Sequence, residues 1–320
     1  MSIRNAIAKL RVIIVGDVML DEYWFGHVRR ISPEAPVPIV HVQRSDERPG
    51  GAANVARNIV ALGAQATLLS VVGADSAADR LRGVLDAAGI HHRLYADPSI
   101  RTTVKLRVIG QQQQMLRIDF EDAPSREALD RKKIEFERVI DEADLVVFSD
   151  YGKGALDHIE ELIAAVRDRG KPILVDPKGA DYGRYAGATA ITPNRSELAE
   201  VAGGWKSPED MADRAEALRK SLGLEALLVT MSEQGMMLFR EKNTLHKPAQ
   251  AREVFDVSGA GDTVIAAVAI MIGIGAGWDR AVDFANAAAG LVVSKLGTSV
   301  VEFDEVAPLL DDIDSWRLSR

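Results

Sequence analysis

The first apolar run of the chain predicts a strand that is buried on both faces. Residues 12–15 read Val-Ile-Ile-Val and are followed directly by Gly16 and Asp17. A strand covered by helices on both sides carries such a continuous run, whereas a half-exposed strand alternates apolar and polar residues. The run therefore predicts the start of a buried parallel sheet.

Further apolar runs alternate with segments of helical periodicity along most of the chain. The predicted helices are 51–62, 77–88, 261–273 and 278–296. The predicted strands are 67–72, 145–148, 173–175, 188–192 and 226–230. Strands that alternate with helices in this way form a mostly parallel, doubly wound sheet with right-handed crossovers. We therefore predict a single α/β domain over residues 1–320.

Two segments interrupt this rhythm and predict a small second sheet. Residues 21–48 contain three prolines and a short alternating run, and residues 93–120 alternate charged with apolar side chains. Alternation at a period of two is typical of half-exposed strands. In the second segment Lys105 and Arg107 share one face of a strand. We expect the two segments to form a β-sheet lid on the main domain.

Composition and charge narrow the class of protein. The chain has 320 residues, a formal net charge of -8 and no cysteine. This charge argues against a nucleic-acid partner, and the lack of cysteine excludes disulfides, thiolate metal sites and a cysteine nucleophile. The longest apolar stretch, 266–276, is much shorter than the roughly 20 residues that a membrane span needs. We expect a soluble, cytoplasmic protein without a membrane anchor.

The candidate chemistry centres on residues 256–263, Asp-Val-Ser-Gly-Ala-Gly-Asp-Thr, which open a long predicted helix. The glycines of Gly259-Ala260-Gly261 allow a close backbone approach, and the free amides and dipole of a helix start favour an anion. Asp262 lies in the first turn, where its carboxylate is placed to accept a hydroxyl proton. The alternative is that Asp262 only caps the helix and the glycines only form a turn.

Asn194 and Glu197 follow a predicted strand and are spaced to point the same way from the start of a helix. An amide and a carboxylate suit a hydrated Mg²⁺, which keeps most of its waters. The alternative is a helix-capping Asn with its reciprocal Glu.

A third group of polar residues predicts contacts to a polyol. Gly50 and Gly51 allow close backbone approach, and Asn54 in the helix that follows is placed to bond a hydroxyl. Asp21 follows the first strand, at the sheet end where open α/β sheets bind ligands. The alternatives are an ordinary glycine-rich helix entry and a solvent-exposed turn aspartate.

Basic residues in the lid segments are candidates for binding a phosphate. Lys105, Arg107 and the nearby Arg101 form one such cluster. Charges that protect an edge strand against aggregation are the alternative.

Taken in order, Gly50-Gly51 with Asn54, then Asn194-x-x-Glu197, then Gly259-Ala260-Gly261-Asp262 resemble the signatures of the ribokinase-like (PfkB) carbohydrate kinases over nearly the whole chain. The resemblance implies a three-layer α/β/α fold with a β-sheet lid that often pairs in dimers, so a homodimer through the lids is expected.

The resemblance also implies a role for each candidate residue. Asp262 is the implied catalytic base, and residues 259–261 are the implied anion hole. Sugar contacts fall on Asp21, Gly50, Gly51 and Asn54. The implied ATP and Mg²⁺ contacts are Asn194, Arg195, Ser196, Glu197 and Lys178, with Mg²⁺ near Asn194 and Glu197 through water. Further implied nucleotide contacts are Thr230, Ser232, Glu233, Gly235 and Asn286, in a region where the family's usual turn glycine is replaced.

Residues 30–38, 48–56 and 176–179 are similar to those of the D-glycero-D-manno-heptose 7-phosphate kinases of lipopolysaccharide core assembly. This implies ATP-dependent phosphorylation of the anomeric C1 hydroxyl of that heptose to give the 1,7-bisphosphate. Some relatives carry a nucleotidyltransferase domain with an HxGH motif; none occurs here, which predicts the stand-alone kinase. The alternatives are a kinase for another sugar phosphate or nucleoside, and a non-catalytic binding protein of the same fold.

Overall fold

The computed structural model describes residues 2–111, 113–241, 243–250, 254–295 and 297–310, and also residues 313, 316 and 318. Its strands are β1 Arg11–Gly16, β2 Val18–Ile31, β3 Pro38–Gly51, β4 Gln65–Gly73, β5 His91–Asp97, β6 Val104–Gly110, β7 Gln113–Phe120, β8 Leu145–Ser149, β9 Ile173–Asp176, β10 Ala190–Ile191, β11 Ala226–Thr230, β12 Met236–Arg240 and β13 Asn243–Lys247. Its α-helices are α1 Ile3–Lys9, α2 Ala52–Ala61, α3 Ser76–Ala87, α4 Arg126–Val139, α5 Ile159–Arg167, α6 Arg195–Ala202, α7 Pro208–Ser221, α8 Ala260–Gly273, α9 Trp278–Val292 and α10 Phe303–Val306.

The larger sheet has nine strands in the order β13-β12-β11-β10-β9-β8-β1-β4-β5. The seven strands from β11 to β5 run parallel, and β12 runs antiparallel to both of its neighbours, β11 and β13. The buried run in β1 shows why helices cover both faces of this sheet. Ile14 belongs to one apolar cluster, with α2, α8 and α9, while Ile13 and Val15 belong to another, with α4, α5 and α7. The predicted three-layer α/β/α architecture is confirmed.

The smaller sheet has four strands in the order β3-β2-β6-β7. Strands β2 and β6 run parallel, and each has an antiparallel hairpin partner on its outer side. The alternation in β6 has the predicted effect, because Val104 and Leu106 are buried while Lys105 and Arg107 lie on the other face. Since β6 is an interior strand of this sheet, protection of a sheet edge does not explain those two charges.

The second lid segment needs a correction, because residues 93–97 do not belong to the small sheet. They lie in β5, which pairs in parallel with β4 along the edge of the large sheet. Strand β5 is the last strand of this sheet and is more exposed than β4, although Leu94 and Tyr95 pack against different apolar clusters. The small sheet receives only residues 104–120 from this part of the chain, with residue 112 outside the described residues.

Candidate active site

Asp262 lies in the first turn of α8 and is only 4% exposed. Its Oδ2 atom accepts a hydrogen bond from Asn54 Nδ2 at 2.7 Å. Its Oδ1 atom accepts one from the Tyr151 hydroxyl, also at 2.7 Å. The two donors fix the plane of the carboxylate, while each oxygen keeps a second lone pair for another partner.

Burial raises the pKa of Asp262 to about 6, although the hydrogen bonds from Asn54 and Tyr151 limit the rise. The negative charge of Asp21 also raises this pKa, and the positive charge of Lys105 lowers it. A carboxyl group of this pKa is ionised at neutral pH and still takes up a proton more readily than an ordinary aspartate. That combination suits a general base that works near pH 7.

The start of α8 is shaped to receive an anion beside Asp262. Gly259 has a left-handed backbone with φ of 79°, and a Cβ atom there would lie 2.8 Å from Asn54 Nδ2. The first helical hydrogen bond runs from Thr263 N–H to the Gly259 carbonyl at 3.0 Å. The amides of Gly261 and Asp262 come before this bond in the helix and have no intrahelical acceptor. They form, with the helix dipole, a site for negative charge.

A cavity of about 1150 Å³ opens on the other side of this helix start. It brings together ten of the predicted nucleotide and anion-hole residues: Asn194, Arg195, Ser196, Thr230, Ser232, Glu233, Gly235, Ala260, Gly261 and Asn286. Part of its wall is apolar, with Trp205, Val257 and Val293 among the lining residues. A large cleft that joins an apolar wall to a helix N-terminus suits a ligand with a planar base and phosphates.

The turn after β11, which lines this cavity, contains two residues with positive φ. Ser232 has φ of 51° and Gly235 has φ of 87°. A serine in the left-handed region costs about 1 kcal/mol relative to glycine. Asn286, from α9, donates its Nδ2 hydrogen to the Pro248 carbonyl at 2.8 Å, so its amide nitrogen holds the chain that follows β13.

Asn194 and Glu197 form a capping box at the start of α6. Asn194 Oδ1 accepts from the amides of Ser196 and Glu197, and Glu197 Oε2 accepts from the Asn194 amide at 3.0 Å. The alternative role, a helix-capping Asn with its reciprocal Glu, is thus present at these two residues. Of the two, Asn194 lines the cavity, and the box holds the Glu197 carboxylate against the Asn194 amide beside it.

Lys178 donates its ammonium hydrogen to Glu197 Oε1 at 2.9 Å. Asp176, two residues before it, lies at the carboxyl end of β9. Burial and the nearby carboxylates of Asp262 and Glu197 raise the pKa of Asp176 well above its ordinary value. This carboxyl group is therefore close to both Asp262 and the capping box.

Asp21, Gly50 and Asn54 meet on the lid side of Asp262. Asp21 is 4% exposed and accepts a 2.5 Å hydrogen bond from Arg107. A Cβ atom at Gly50 would lie 2.4 Å from Asp21 Oδ2, so only glycine leaves this carboxylate in place. The backbone of Gly51, with φ of 61°, leads into α2. Asn54 Oδ1 is buried and has no hydrogen-bond partner among the residues that the structure describes, which leaves an acceptor for a ligand hydroxyl.

The predicted phosphate cluster is only partly assembled. Lys105 lies opposite Asp21 in the strand register and Arg107 contacts Asp21 directly. Arg101 instead forms a two-point ion pair with Asp122 and is largely exposed. Arg101 precedes β6, which begins at Val104, and its guanidinium pairs with Asp122 rather than with Asp21, so the structure does not bring it together with Lys105 and Arg107.

Sequence reasoning missed Tyr151 and Asp17. Asp17 is buried and accepts from the backbone amides of Tyr151, Lys153 and Ala155 at 2.8–3.0 Å. It thereby fixes the loop that carries the Tyr151 hydroxyl to Asp262. Asp17 directly follows β1, and Tyr151 is the second residue after β8, the neighbouring parallel strand. Their position after the carboxyl ends of strands is a signal that the sequence offered.

In the part of the chain that the structure describes, no helix is long and apolar enough to span a bilayer. Within the same part, no three acidic or histidine side chains converge as a set of metal ligands.

Comparisons with known proteins agree on one family. A family model described as pfkB family carbohydrate kinase matches residues 9–303. A Bordetella bronchiseptica protein named D-beta-D-heptose 7-phosphate kinase is 54% identical over 301 residues, which are 94% of this chain and 96% of that protein. The bifunctional protein HldE of Chromohalobacter salexigens is 50% identical over 303 residues, which are 94% of this chain and 64% of that protein. The chain thus spans less than two thirds of this bifunctional relative.

Solved structures agree on the fold. Arabidopsis thaliana ribokinase complexed with ribose and ATP superposes with a TM-score of 0.76 at 21% identity, covering 95% of this chain and 99% of that one. Escherichia coli phosphofructokinase-2 in complex with substrates and products superposes with a TM-score of 0.76 at 20% identity, covering 94% of this chain and 97% of that one. These similarities show a ribokinase-like fold.

Proposed function

Since this chain belongs to the pfkB family of carbohydrate kinases, we propose that it transfers the γ-phosphoryl group of ATP to the C1 hydroxyl of D-glycero-D-manno-heptose 7-phosphate. The products are ADP and the heptose 1,7-bisphosphate, an intermediate toward ADP-heptose and the lipopolysaccharide core. The name and 54% identity of the Bordetella relative support the choice of sugar. One observation carries the chemistry: Asp262 lies between the lid-side pocket and a helix start that opens on a nucleotide-sized cavity.

In the proposed reaction the Asp262 carboxylate takes the proton of the C1 hydroxyl as that oxygen attacks the γ-phosphorus. The new C1–O–P bond forms while the bond from the γ-phosphorus to the bridging oxygen of ADP breaks. In the predicted anion hole at residues 259–261, the Ala260 amide is bonded to the Val257 carbonyl, so the amides of Gly261 and the adjoining Asp262 stabilise the charge on the transferring group. An anomeric hydroxyl is more acidic than a simple alcohol, so one positioned carboxylate is a sufficient base.

The sugar occupies the pocket between the lid and Asp262. Asp21 and the free Oδ1 of Asn54 accept its hydroxyl hydrogens, and Gly50 and Gly51 let the ring approach the backbone. We assign the 7-phosphate to Lys105 and Arg107, which face this pocket from an interior strand of the lid. Arg107 already neutralises Asp21, so Lys105 is the main source of unbalanced positive charge.

ATP occupies the 1150 Å³ cavity, with its base against the apolar wall and its phosphates toward α8. Mg²⁺ would be held through water near Asn194 and Glu197, where it would supply charge neutralisation to the phosphates. The capping box fixes both side chains, and each Glu197 oxygen accepts one hydrogen bond and keeps a lone pair for such a water. Asn194 Oδ1 already accepts three hydrogen bonds, from the Ser196 amide and hydroxyl and from the Glu197 amide, so it acts by positioning Glu197. Lys178 is placed beside Glu197 to add positive charge.

We further propose that the small sheet is the lid of a single kinase domain and that lids of two copies pair in a cytoplasmic homodimer. Large apolar side chains exposed on this sheet support the pairing: Trp24, Ile31, Val37, Val42, Met115, Leu116 and Phe120. Sedimentation or light scattering of the protein tests it. A lid variant such as Leu116→Lys should yield monomers, and a wild-type monomer would contradict it.

The activity is tested by ADP release with Mg-ATP and a panel of sugar phosphates, with phosphorus NMR of the product. We expect turnover with heptose 7-phosphate and a new phosphate at C1. Asp262→Asn should lose at least a thousandfold in kcat while ATP affinity is retained. Turnover with another sugar would support the kinase activity but contradict heptose 7-phosphate as the substrate. No turnover with any sugar would favour a non-catalytic binding protein.

The phosphate assignment has a matched control in the chain. Lys105→Met should raise KM for heptose 7-phosphate about tenfold or more, because it removes a charge-assisted hydrogen bond. The same variant should not change KM for ATP or for heptose that lacks the phosphate. Arg101→Met, which removes a cation paired with Asp122 outside the pocket, should change neither. Equal effects of the two variants would contradict the assignment.

A further inference from the structure

Tyr151 is a half-buried tyrosine whose hydroxyl donates a hydrogen bond to Asp262, the carboxylate on which the proposed reaction depends. It donates to Asp262 Oδ1 at 2.7 Å, opposite the Asn54 amide on Oδ2. Asn54 is anchored in α2, but Tyr151 stands on a loop, so the loop must itself be held for this bond to fix Asp262. The structure supplies that support.

The Asp17 carboxylate fixes the loop after β8 by accepting three of its backbone amides. Its Oδ2 accepts the amides of Tyr151 and Lys153 at 2.8 and 3.0 Å, and its Oδ1 accepts the amide of Ala155 at 2.9 Å. Lys132, which is only 2% exposed, donates its ammonium hydrogen to the Ala155 carbonyl. The five residues from Tyr151 to Ala155 are thus held by the buried Asp17 carboxylate and the buried Lys132 ammonium, which fixes the position of Tyr151.

A lid residue, Lys105, also lies near the ring of Tyr151. The Lys105 ammonium lies 5.9 Å from the centre of the Tyr151 ring, within range of a cation–π contact. Tyr151 therefore contacts both the lid strand β6 and the base. The charged and titratable groups that face Asp262 are Tyr151, Asp21, Lys105 and Asp176.

We propose that Tyr151 is a positioning residue for the reaction, which orients the Asp262 carboxylate toward the substrate hydroxyl and keeps it ionised. The proposal rests on Asp262 being the base. A tyrosine hydroxyl can donate to a carboxylate oxygen, and it stabilises the ionised form of Asp262 more than the protonated form. Burial beside Asp262 raises the pKa of Tyr151 well above its usual value, so this hydroxyl keeps its proton across the working pH range.

The test is the pH dependence of kcat in Tyr151→Phe. Loss of the donor should move the acid limb of the profile up by about one pH unit, since hydrogen bonds to charged groups have that strength. This shift should lower turnover at pH 6 about fivefold, and its effect should almost vanish by pH 8. KM for ATP should not change. An acid limb at the wild-type pH would overturn the proposal.

Tyr185→Phe is the matched control. Tyr185 is buried and likewise donates to a carboxylate, Asp150 Oδ2 at 2.8 Å, but it has no hydrogen bond to Asp262. It should lower the unfolding temperature without moving the acid limb. A limb displaced equally in both variants would show a general loosening of the loop and would overturn the positioning role.

A second measurement does not depend on how well the phenylalanine variant folds. Incorporation of 3-fluorotyrosine at position 151 keeps the ring and makes the hydroxyl a stronger donor. The acid limb should then move down by a fraction of a pH unit, opposite to the phenylalanine variant, and no movement would overturn the proposal. All profiles use the sugar phosphate that is turned over best, so an error in the heptose assignment leaves them readable. Normal turnover by Asp262→Asn would instead refute the base itself, and Tyr151 with it.

Discussion

Removing the charge of Asp262 should stabilise the protein while it abolishes turnover. Burial raises the pKa of this carboxyl group from 3.8 to about 6. Above pH 6 the folded protein therefore holds a carboxylate that would be better solvated in the unfolded chain. The rise corresponds to about 3 kcal/mol of destabilisation at pH 7 and above. We expect Asp262→Asn to recover a large part of it.

The sign and the pH window follow from linkage. A folded-state pKa above the unfolded value means that the folded protein binds the proton more tightly. The resulting stability is complete below about pH 4 and is lost as the pH rises through 6. The gain from Asp262→Asn should thus be small at pH 4, about half of its full value at pH 5, and constant above pH 7.

The surroundings of Asp262 can accept an amide in its place. The Tyr151 hydroxyl can keep its bond to the remaining carbonyl oxygen. On the other side, Asn54 has a buried Oδ1 without a partner among the described residues, and a half turn of its amide presents that atom to the introduced NH₂ group. The number of hydrogen bonds is then unchanged.

The assay is urea unfolding of the wild type and the variant at pH 5 and pH 8. The variant should be more stable at both values, with a gain that is larger at pH 8 by about 1.5 kcal/mol. Asp17→Asn is the matched control. Burial raises the pKa of Asp17 too, but both of its oxygens accept backbone amides that cannot turn. That variant should lose about 1–3 kcal/mol. A gain for Asp262→Asn that does not depend on pH would refute the reasoning.

Three further predictions follow from the same geometry. The kcat of the wild type should fall below a pH of about 6 with unit slope, because turnover needs ionised Asp262; a flat profile between pH 5 and 8 would contradict this. Ser232→Gly should raise the free energy of unfolding by up to about 1 kcal/mol, because glycine adopts the φ of 51° without strain. Urea unfolding measures this change, and a lower free energy of unfolding in the variant would contradict the prediction. Gly50→Ala should raise KM for the sugar about tenfold or more and leave KM for ATP unchanged, because the new Cβ displaces Asp21.

The sequence alone predicted the features that depend on local order. The continuous apolar run of β1 indicated burial on both faces, and Ile13 and Ile14 do lie in different apolar clusters. The alternation around Lys105 indicated a half-buried strand in a second sheet. The spacing of Asn194 and Glu197 allowed a capping box, and one is present. Each of these depends on side-chain direction within one element, which periodicity reports.

Only the tertiary structure decided which polar groups meet. Tyr151 and Asp262 are 111 residues apart, and Asn54 and Asp262 are 208 apart. Their contacts depend on the order of the strands in the sheet, which local periodicity does not encode. The ion pair of Arg101 was decided in the same way, since its closeness to Lys105 in sequence did not reveal Asp122 as its partner. The sequence therefore determined the elements and the candidate base, whereas the packing of distant loops determined how that base is held, buried and tuned.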